Sequence, residues 1–290
     1  MSWRTVVISS SAKLDYQLGF MVIRRADVVK VHISEISILI IETTAVSLTA
    51  ALLSELTKRK VKVVFCDEKK QPSSELIPYY GSHDTSIKVK KQIAWGEDIK
   101  TTVWTEIVSE KIRKQAELLQ NYRLQESDML YQYIKEMEFG DVTNREGHAA
   151  KVYFNALFDM DFTRTAENSI NAALNYGYGI ILSAFNREIT ANGYITQLGL
   201  FHDNMFNQFN FGSDIMEPFR PIVDHRVRTM MPEKFEHDEK MEVLKILQDE
   251  IIIAGRKEFV NNAIKIYCRS IFDALNDNDT SLIKFYKNEL

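Results

Sequence analysis

The sequence has few of the features that mark secreted, membrane or metal-cluster proteins. Its two cysteines, Cys66 and Cys268, form no CxxC pair, so neither a zinc site nor a disulfide framework is indicated, and their apolar surroundings predict buried thiols. The start, MSWRTVVISSSAKL, lacks the apolar core and cleavage site of a secretory signal. The apolar run ISILII is far short of the roughly 18 to 20 residues that span a bilayer. We therefore expect a soluble, cytoplasmic protein without membrane contact.

A large excess of either charge is also missing. The formal net charge is −4 over 290 residues, so nucleic-acid binding would depend on local basic stripes or on assembly. No GxxxxGK[ST] loop is present, which argues against NTP hydrolysis, and no GxSxG serine-hydrolase elbow is present either. With 45% hydrophobic and 26% charged residues, the composition is that of an ordinary globular protein.

Two patterns divide the chain. Residues 1–75 contain the short β-branched segments TVVIS, FMVIRR and VVKVHI and the continuous apolar runs ISILIIETT and VKVVFCDE, which are typical of strands. VSLTAALLSELTKRK lies between the two runs and has helical spacing with a basic last turn. We expect a β-rich domain over residues 1–75 and a linker over 76–94, where Pro, Ser and Gly accumulate.

From about Trp95 onward the hydrophobic period is that of a helix. One face of a long amphipathic helix is predicted from Ile99, Val103, Ile107, Ile112, Leu118 and Leu119. Further helices are predicted over 126–138, 146–158, 168–191, 238–254 and 257–275. The fold class is therefore α+β, with a small β-rich domain followed by a larger all-α domain over residues 95–290.

Three polar segments interrupt the helical part. In TNREGHAA, Thr143 and Glu146 fit a capping box; the alternative is that Glu146, at a helix head, is a carboxylate ligand for a divalent cation. In LGLFHDN, the lone His202 is a surface residue, a hydrogen-bonded core residue or a ligand. In SDIMEPFRPIVD, Ser213 is a natural N-cap, and the acids Asp214, Glu217 and Asp224 fall on roughly one helical face. Those acids either favour the helix dipole or bind a cation.

Taken together, Glu146, His202 and Glu217 make a donor set of two carboxylates and an imidazole. Such a set suits Mg²⁺ or Mn²⁺. A bound ion of this kind could activate an attacking oxygen and stabilise the leaving oxygen in a phosphodiester displacement.

The same segments resemble a known family. NREGHAAKVYFNALF, NSINAALNYGYGIILSAFNREITANGY and GLFHDNMFNQFNFGSDIMEPFRPIVD are similar to the spacer-acquisition integrases of CRISPR systems, nearest to those of type II. The opening WRTVVI…AKL…HISEISILIIET…VKVVFCDEKK…YGSHD fits as well, so the resemblance covers the whole chain.

The resemblance implies a fold and a site. It implies a β-sandwich-like N-terminal domain, which mediates dimerisation, and an all-helical catalytic domain with a metal site. By motif, the ligands and catalytic residues would be Glu146, His202 and Glu217, where many relatives have aspartate at the last position. Asp214 matches a secondary acidic position. Arg145 and Arg220 stand beside the implied ligands and are candidates for contacting DNA phosphate.

The resemblance also implies a reaction and partners. A homodimer would join a dimer of the small second CRISPR adaptation subunit in a heterohexamer that carries double-stranded prespacer DNA. A 3′-OH would attack the leader–repeat junction of the CRISPR array by transesterification, with Mg²⁺ or Mn²⁺ as cofactor. Other adaptation factors and the effector nuclease are further candidate partners, all in a prokaryotic cytoplasm.

Two other functions compete with this one. His148, His202, Asp203 and Asp224 follow the H…HD…D order of metal phosphohydrolases, in which Asp203 would be a ligand and Glu217 would not. A non-catalytic DNA-binding scaffold would use the acids only as helix caps. Its DNA binding would be insensitive to EDTA, and it would join no strands.

Overall fold

The computed structural model describes residues 4–68, 70, 72–78 and 82–287. The chain divides into two compact units. The strand unit comprises Met1–Thr85 with Asn186–Tyr194, and the helical unit comprises Ser86–Phe185 with Ile195–Leu290. The predicted α+β class, with a strand-rich beginning and a larger helical remainder, is confirmed.

Among its described residues, the strand unit contains two four-stranded sheets and the short helix α1. One sheet has the order β1-β5-β7-β8 and the other the order β4-β3-β2-β6. Side chains from both sheets share one hydrophobic core with the helix, as in a sandwich. The elements are β1 (Arg4–Ile8), β2 (Ala12–Gln17), β3 (Phe20–Arg24), β4 (Val28–His32), β5 (Ile36–Ile41), β6 (Val46–Leu48), α1 (Ala50–Lys58), β7 (Lys62–Cys66) and β8 (Pro72–Leu76).

The central strand β5 explains the apolar run in the sequence. All six of its residues are buried, and it pairs in parallel with β1 on one side and β7 on the other. Parallel strands covered on both faces need continuous apolar sequence, which is why the run predicts a buried strand correctly. Helix α1 begins after Thr49, whose side chain accepts a hydrogen bond from the N–H of Leu52 at 3.3 Å.

Strands β2, β6 and β8 were missed by the sequence analysis. Leu18 and Gly19 form the two-residue turn of the β2–β3 hairpin. Both residues have positive φ, at 48° and 88°, which matches the twist of a tight hairpin.

The helical unit is built around one long helix. Helix α3 is 25 residues long, and the predicted stripe from Ile99 to Leu119 is buried. Gly177 permits close packing against Val223, because a Cβ there would lie 2.4 Å from a valine methyl. The helices are α2 (Thr85–Ile93), α3 (Glu97–Asn121), α4 (Glu126–Lys135), α5 (Arg145–Leu157), α6 (Ser169–Ala191), α7 (Asn210–Ile215), α8 (Arg220–Met230), α9 (His237–Leu244) and α10 (Val260–Asp277).

A small antiparallel sheet corrects two predicted helices. Strands β9 (Glu250–Ile253), β10 (Arg256–Phe259) and β11 (Tyr286–Lys287) pair in the order β10-β9-β11. Residues 250–254 and 257–259 are therefore not helical, contrary to the predicted helices over 238–254 and 257–275. The cause is a run of three isoleucines, which favours a strand, followed by a turn at Ala254 and Gly255, both with positive φ.

Three further observations bear on the sequence expectations. Helix α2 lies within the stretch expected to be a linker over 76–94. The thiols of Cys66 and Cys268 are buried, as predicted, and neither forms a disulfide. Across the described ranges, no helix has both the length and the apolar character needed to cross a bilayer.

Candidate active site

Glu146 stands in the first turn of α5, where other side chains complete the helix start. The Asp141 carboxylate accepts hydrogen bonds from the N–H groups of Arg145 (2.7 Å) and Glu146 (2.9 Å). Asn144 is the N-cap and accepts from the N–H three residues later. The predicted capping box of Thr143 and Glu146 is therefore wrong, because Asp141 and Asn144 already satisfy these donors. The Glu146 carboxylate is left to make other contacts.

Glu146 and Glu217 converge on a single cation, the ammonium of Lys111. Lys111 Nζ forms ion pairs with Glu146 Oε1 and, at 2.5 Å, with Glu217 Oε2. The Lys111 side chain comes from α3 and is only 9% exposed. Burial alone would lower the pKa of Lys111, but the two carboxylates outweigh it and raise the pKa. The site therefore holds two acids and a charged lysine in a largely dry environment.

Glu217 is buried at the start of a 3-10 turn, Glu217–Phe219, that leads into α8. Burial would raise its pKa, but the charges of Arg220 and Lys111 hold the pKa below the ordinary value. Arg220 Nε donates to Glu217 Oε1 at 2.9 Å. Ser213, the predicted N-cap, instead lies inside α7. Its own N–H already donates within the helix, so that prediction is wrong.

His202 is held by a carboxylate. Asp214 is fully buried and accepts hydrogen bonds from the N–H groups of Leu200 (2.6 Å), Phe201 (3.0 Å) and His202 (3.2 Å), and also contacts His202 Nδ1. This hydrogen bond raises the pKa of His202 against partial burial, and the nearby charges of Glu217 and Glu146 raise it further. With Nδ1 engaged by Asp214, Nε2 is the imidazole nitrogen left for another partner.

The His202 loop is packed against α3. The Phe201 ring stacks on the Trp104 indole with centroids 4.6 Å apart, and the His202 ring meets the same indole edge-on at 5.6 Å. Gly199 allows the close approach of the loop to Asp214, because a Cβ there would lie 2.4 Å from His202 O and 2.7 Å from Asp214 Oδ2. The contact with Asp214 and the packing against Trp104 therefore fix the direction of the His202 imidazole.

The donor types of this set, two carboxylates and an imidazole, are those that bind a hard divalent cation. Two carboxylates already point at one positive charge, and an imidazole oriented by a buried carboxylate is the usual arrangement of a metal-binding histidine. No group of three His, Cys, Asp or Glu side chains among the described residues has the spacing of a preformed metal cluster. Lys111, rather than a third ligand, occupies the space between the two glutamates.

The two arginines of the sequence analysis differ in their surroundings. Arg220 is bound to Glu217 and lies over the Tyr178 ring, 4.7 Å from its centroid. Arg145 pairs with Glu136 at 3.1 Å and is 26% exposed. Arg220 is 28% exposed, so the two arginines differ in their partners and not in their accessibility. Arg220 is paired with a proposed ligand, and Arg145 is paired with an acid outside that set.

Two members of the rival metal-phosphohydrolase set, Asp224 and His148, have other partners. Asp224 is buried and accepts hydrogen bonds from the hydroxyls of Tyr153 (2.9 Å) and Tyr178, so both of its oxygens are engaged. Burial raises the pKa of Asp224 to about 6, although the two tyrosine hydroxyls act in the opposite direction. His148 instead lies near the Tyr133 ring.

Lys111 and Trp104 are site residues that the sequence analysis missed. Lys111 follows Ile107 by four residues, so it stands on the predicted buried stripe of α3. A lysine on an apolar stripe implies a buried acidic partner. The position of Lys111 on the apolar stripe could therefore have identified it from the sequence.

The fold and the site define an α+β protein with an acidic and imidazole cluster in its helical unit. Residues 5–261 match the family model described as "CRISPR associated protein Cas1", so the chain belongs to this family, and the resemblance found in the sequence is confirmed. The "CRISPR-associated endonuclease Cas1" of Neisseria meningitidis serogroup C (strain 8013) is 35% identical over 229 residues, covering 77% of this chain and 74% of that protein.

Solved structures share the fold. A "Casposase bound to integration product" has a TM-score of 0.78 at 16% identity, covering 96% of this chain and 92% of that one. A chain of a "Cas6-RT-Cas1--Cas2 complex" has a TM-score of 0.77 at 14% identity. The match covers 99% of this chain but 36% of that longer one.

Proposed function

We propose that this protein is a divalent-metal-dependent DNA endonuclease and integrase of CRISPR adaptation. Glu146, His202 and Glu217 would hold Mg²⁺ or Mn²⁺. The observation that carries the proposal is the convergence of Glu146 and Glu217 on one cation beside an imidazole oriented by Asp214. The names of two similar proteins, an endonuclease and a casposase bound to an integration product, support the same chemistry.

The proposed reaction exchanges one phosphodiester for another. The 3′-oxygen of a prespacer strand forms a bond to phosphorus at the leader–repeat junction, and the bond from that phosphorus to the 3′-oxygen of the array strand breaks. The number of phosphodiesters is unchanged, so no NTP is needed. A bound divalent ion supplies Lewis acidity at the reacting oxygens. Glu146 and Glu217 would supply carboxylate oxygens that hold this ion, and Asp214 would keep the imidazole of His202 in one orientation.

DNA binding in this proposal depends on assembly. A formal net charge of −4 gives the single chain little general attraction for a polyanion. A homodimer combined with a dimer of the second adaptation subunit would join separate basic stripes into one track. The name of the Cas1–Cas2 complex that shares this fold supports such a partner. Arg145, whose ion pair is with Glu136 and not with a proposed metal ligand, is the cation beside the site that could contact the scissile phosphate.

A strand-transfer assay tests the proposal. Purified protein and the small partner subunit are incubated with a prespacer duplex and a supercoiled plasmid that carries the repeat, with Mn²⁺ or with EDTA. We expect covalent joining only with Mn²⁺, and its loss in Glu146→Ala, His202→Ala and Glu217→Gln. Glu75→Gln is the matched control, because Glu75 is also a buried acid paired with a lysine, Lys62, but lies in the strand unit. Wild-type joining by Glu217→Gln would refute the assigned site.

The same assay separates the competing functions. DNA binding unchanged by EDTA, with no joined product under any condition, would identify a scaffold. Hydrolysis of nucleotides that Asp203→Ala abolishes and Glu217→Gln spares would identify a phosphohydrolase.

A further inference from the structure

A lysine lies between the two glutamates proposed as metal ligands. Lys111 Nζ contacts Glu146 Oε1 and Glu217 Oε2, the side chains proposed as metal ligands. Its helix is firmly anchored on both sides of this position, because Ile107 and Ile112 are fully buried. The ammonium is therefore a built feature of the site and not a loose surface cation.

The carboxylates of the site already have cationic partners without a metal ion. Glu146, Glu217 and Asp214 are negative, and Lys111, Arg220 and, when protonated, His202 are positive. A divalent ion would add two positive charges beside Lys111 and Glu217, whose side chains are only 9% and 4% exposed. Since uncompensated buried charge is costly, one of the resident cations must withdraw when a metal ion enters.

Lys111 is the cation best placed to withdraw. Arg220 is fixed by its bond to Glu217 Oε1 and by its position over the Tyr178 ring. His202 is fixed by Asp214. Lys111 carries a compact ammonium on a flexible four-carbon stem, and the two carboxylates are the contacts it would exchange for the metal ion.

We infer that Lys111 is an internal counter-ion that keeps Glu146 and Glu217 in place in the metal-free protein and competes with the metal ion for them. Lys111 is thus a positioning residue that sets the metal affinity of the site. The inference rests on the proposed function, because it takes these two glutamates to be metal ligands.

The first test measures metal affinity and folding, not activity. Calorimetric titration with Mn²⁺ compares the wild type with Lys111→Met, which keeps an unbranched side chain one atom shorter and removes its charge. We expect Lys111→Met to bind Mn²⁺ at least about tenfold more tightly, because no ammonium has to be displaced. In EDTA this variant should melt at a lower temperature than the wild type, and Mn²⁺ should restore its melting temperature.

Lys62→Met is the matched control. Lys62 is also a buried lysine and pairs with a buried acid, Glu75, in the strand unit. Its removal should lower the melting temperature as well, but Mn²⁺ should not restore it, and the Kd for Mn²⁺ should equal that of the wild type. A Lys111→Met protein with an unchanged or weaker Kd would refute the inference while leaving the proposed metal site intact. Absence of Mn²⁺ binding by both wild type and Lys111→Met would refute the proposed function itself.

A second measurement needs only the wild-type chain, so it holds even if Lys111→Met does not fold. Lysine acylation is quantified by mass spectrometry at Lys111 and Lys62, in EDTA and in Mn²⁺. We expect Mn²⁺ to raise acylation of Lys111 severalfold and to leave Lys62 unchanged. Unchanged acylation of Lys111 in protein that binds Mn²⁺ calorimetrically would show that the ammonium does not withdraw.

Discussion

The buried carboxyl of Asp224 predicts a pH-dependent stability that one substitution should remove. Burial raises its folded-state pKa from 3.8 to about 6. The folded state therefore binds this proton more tightly than the unfolded state. The stability that the group contributes is fully present below about pH 3.8 and is lost as the pH rises through about 6. Asp224→Asn cannot ionise, so it should not show this loss.

The magnitude follows from the pKa shift. A shift from 3.8 to about 6 corresponds to about 3 kcal/mol at about 1.4 kcal/mol per unit. About 2 kcal/mol of this stabilisation is lost as the pH rises from about 4.5 to about 7.5. The free energy of unfolding of Asp224→Asn, relative to wild type, should therefore rise by about 2 kcal/mol across that window. If Asp224→Asn also loses a hydrogen bond to Tyr153 or Tyr178, the difference in free energy of unfolding changes by a constant amount at every pH. Its dependence on pH stays the same.

Urea denaturation followed by circular dichroism at several pH values measures this difference. Tyr178→Phe is an internal check, because it removes one hydroxyl that stabilises the ionised Asp224. In that variant the pH at which stability falls should move upward. A flat difference between Asp224→Asn and wild type across the window would refute the assignment of a raised pKa to this carboxyl.

Three further outcomes are expected around the His202 loop and its flank. Asp214→Asn should lower strand transfer about 10- to 100-fold by loosening the imidazole, as measured by initial rates at saturating Mn²⁺; an unchanged rate would contradict this role. Gly199→Ala should lower both thermal stability and strand transfer, because its Cβ would overlap His202 O; a wild-type melting temperature would show that the loop adapts. Arg145→Ala should weaken DNA binding and reduce its salt slope by about one in a titration over ionic strength; an unchanged slope would exclude a phosphate contact.

The fold could be predicted from hydrophobic periodicity where the pattern continues over many residues. The buried run of β5 and the apolar stripe of α3 were both predicted correctly, because continuous burial and a helical face leave unambiguous patterns. Short elements were not predictable in this way. The isoleucines of β9 were assigned to a helix because three adjacent apolar residues fit either period, and pairing with β11, more than 30 residues later, decides the outcome.

The candidate site was predictable by residue type but not by arrangement. Glu146, His202 and Glu217 were identified from the sequence, whereas their connection through Lys111 depends on α3, α5 and the 3-10 turn meeting in space. The cap of α5 shows the same limit. Asp141 reaches the helix start only because Gly140, Asp141 and Asn144 all have positive φ, which spacing does not reveal.

The packing of Trp104 gives the protein an intrinsic optical reporter. Its indole is almost fully buried, with Phe201 stacked on it and the His202 ring at its edge. Imidazolium quenches indole emission on contact, so displacement of this loop would change both the brightness and the colour of the fluorescence. After replacement of Trp3 and Trp95 by phenylalanine, stopped-flow fluorescence could time loop movement on mixing with DNA or cations, with no attached dye.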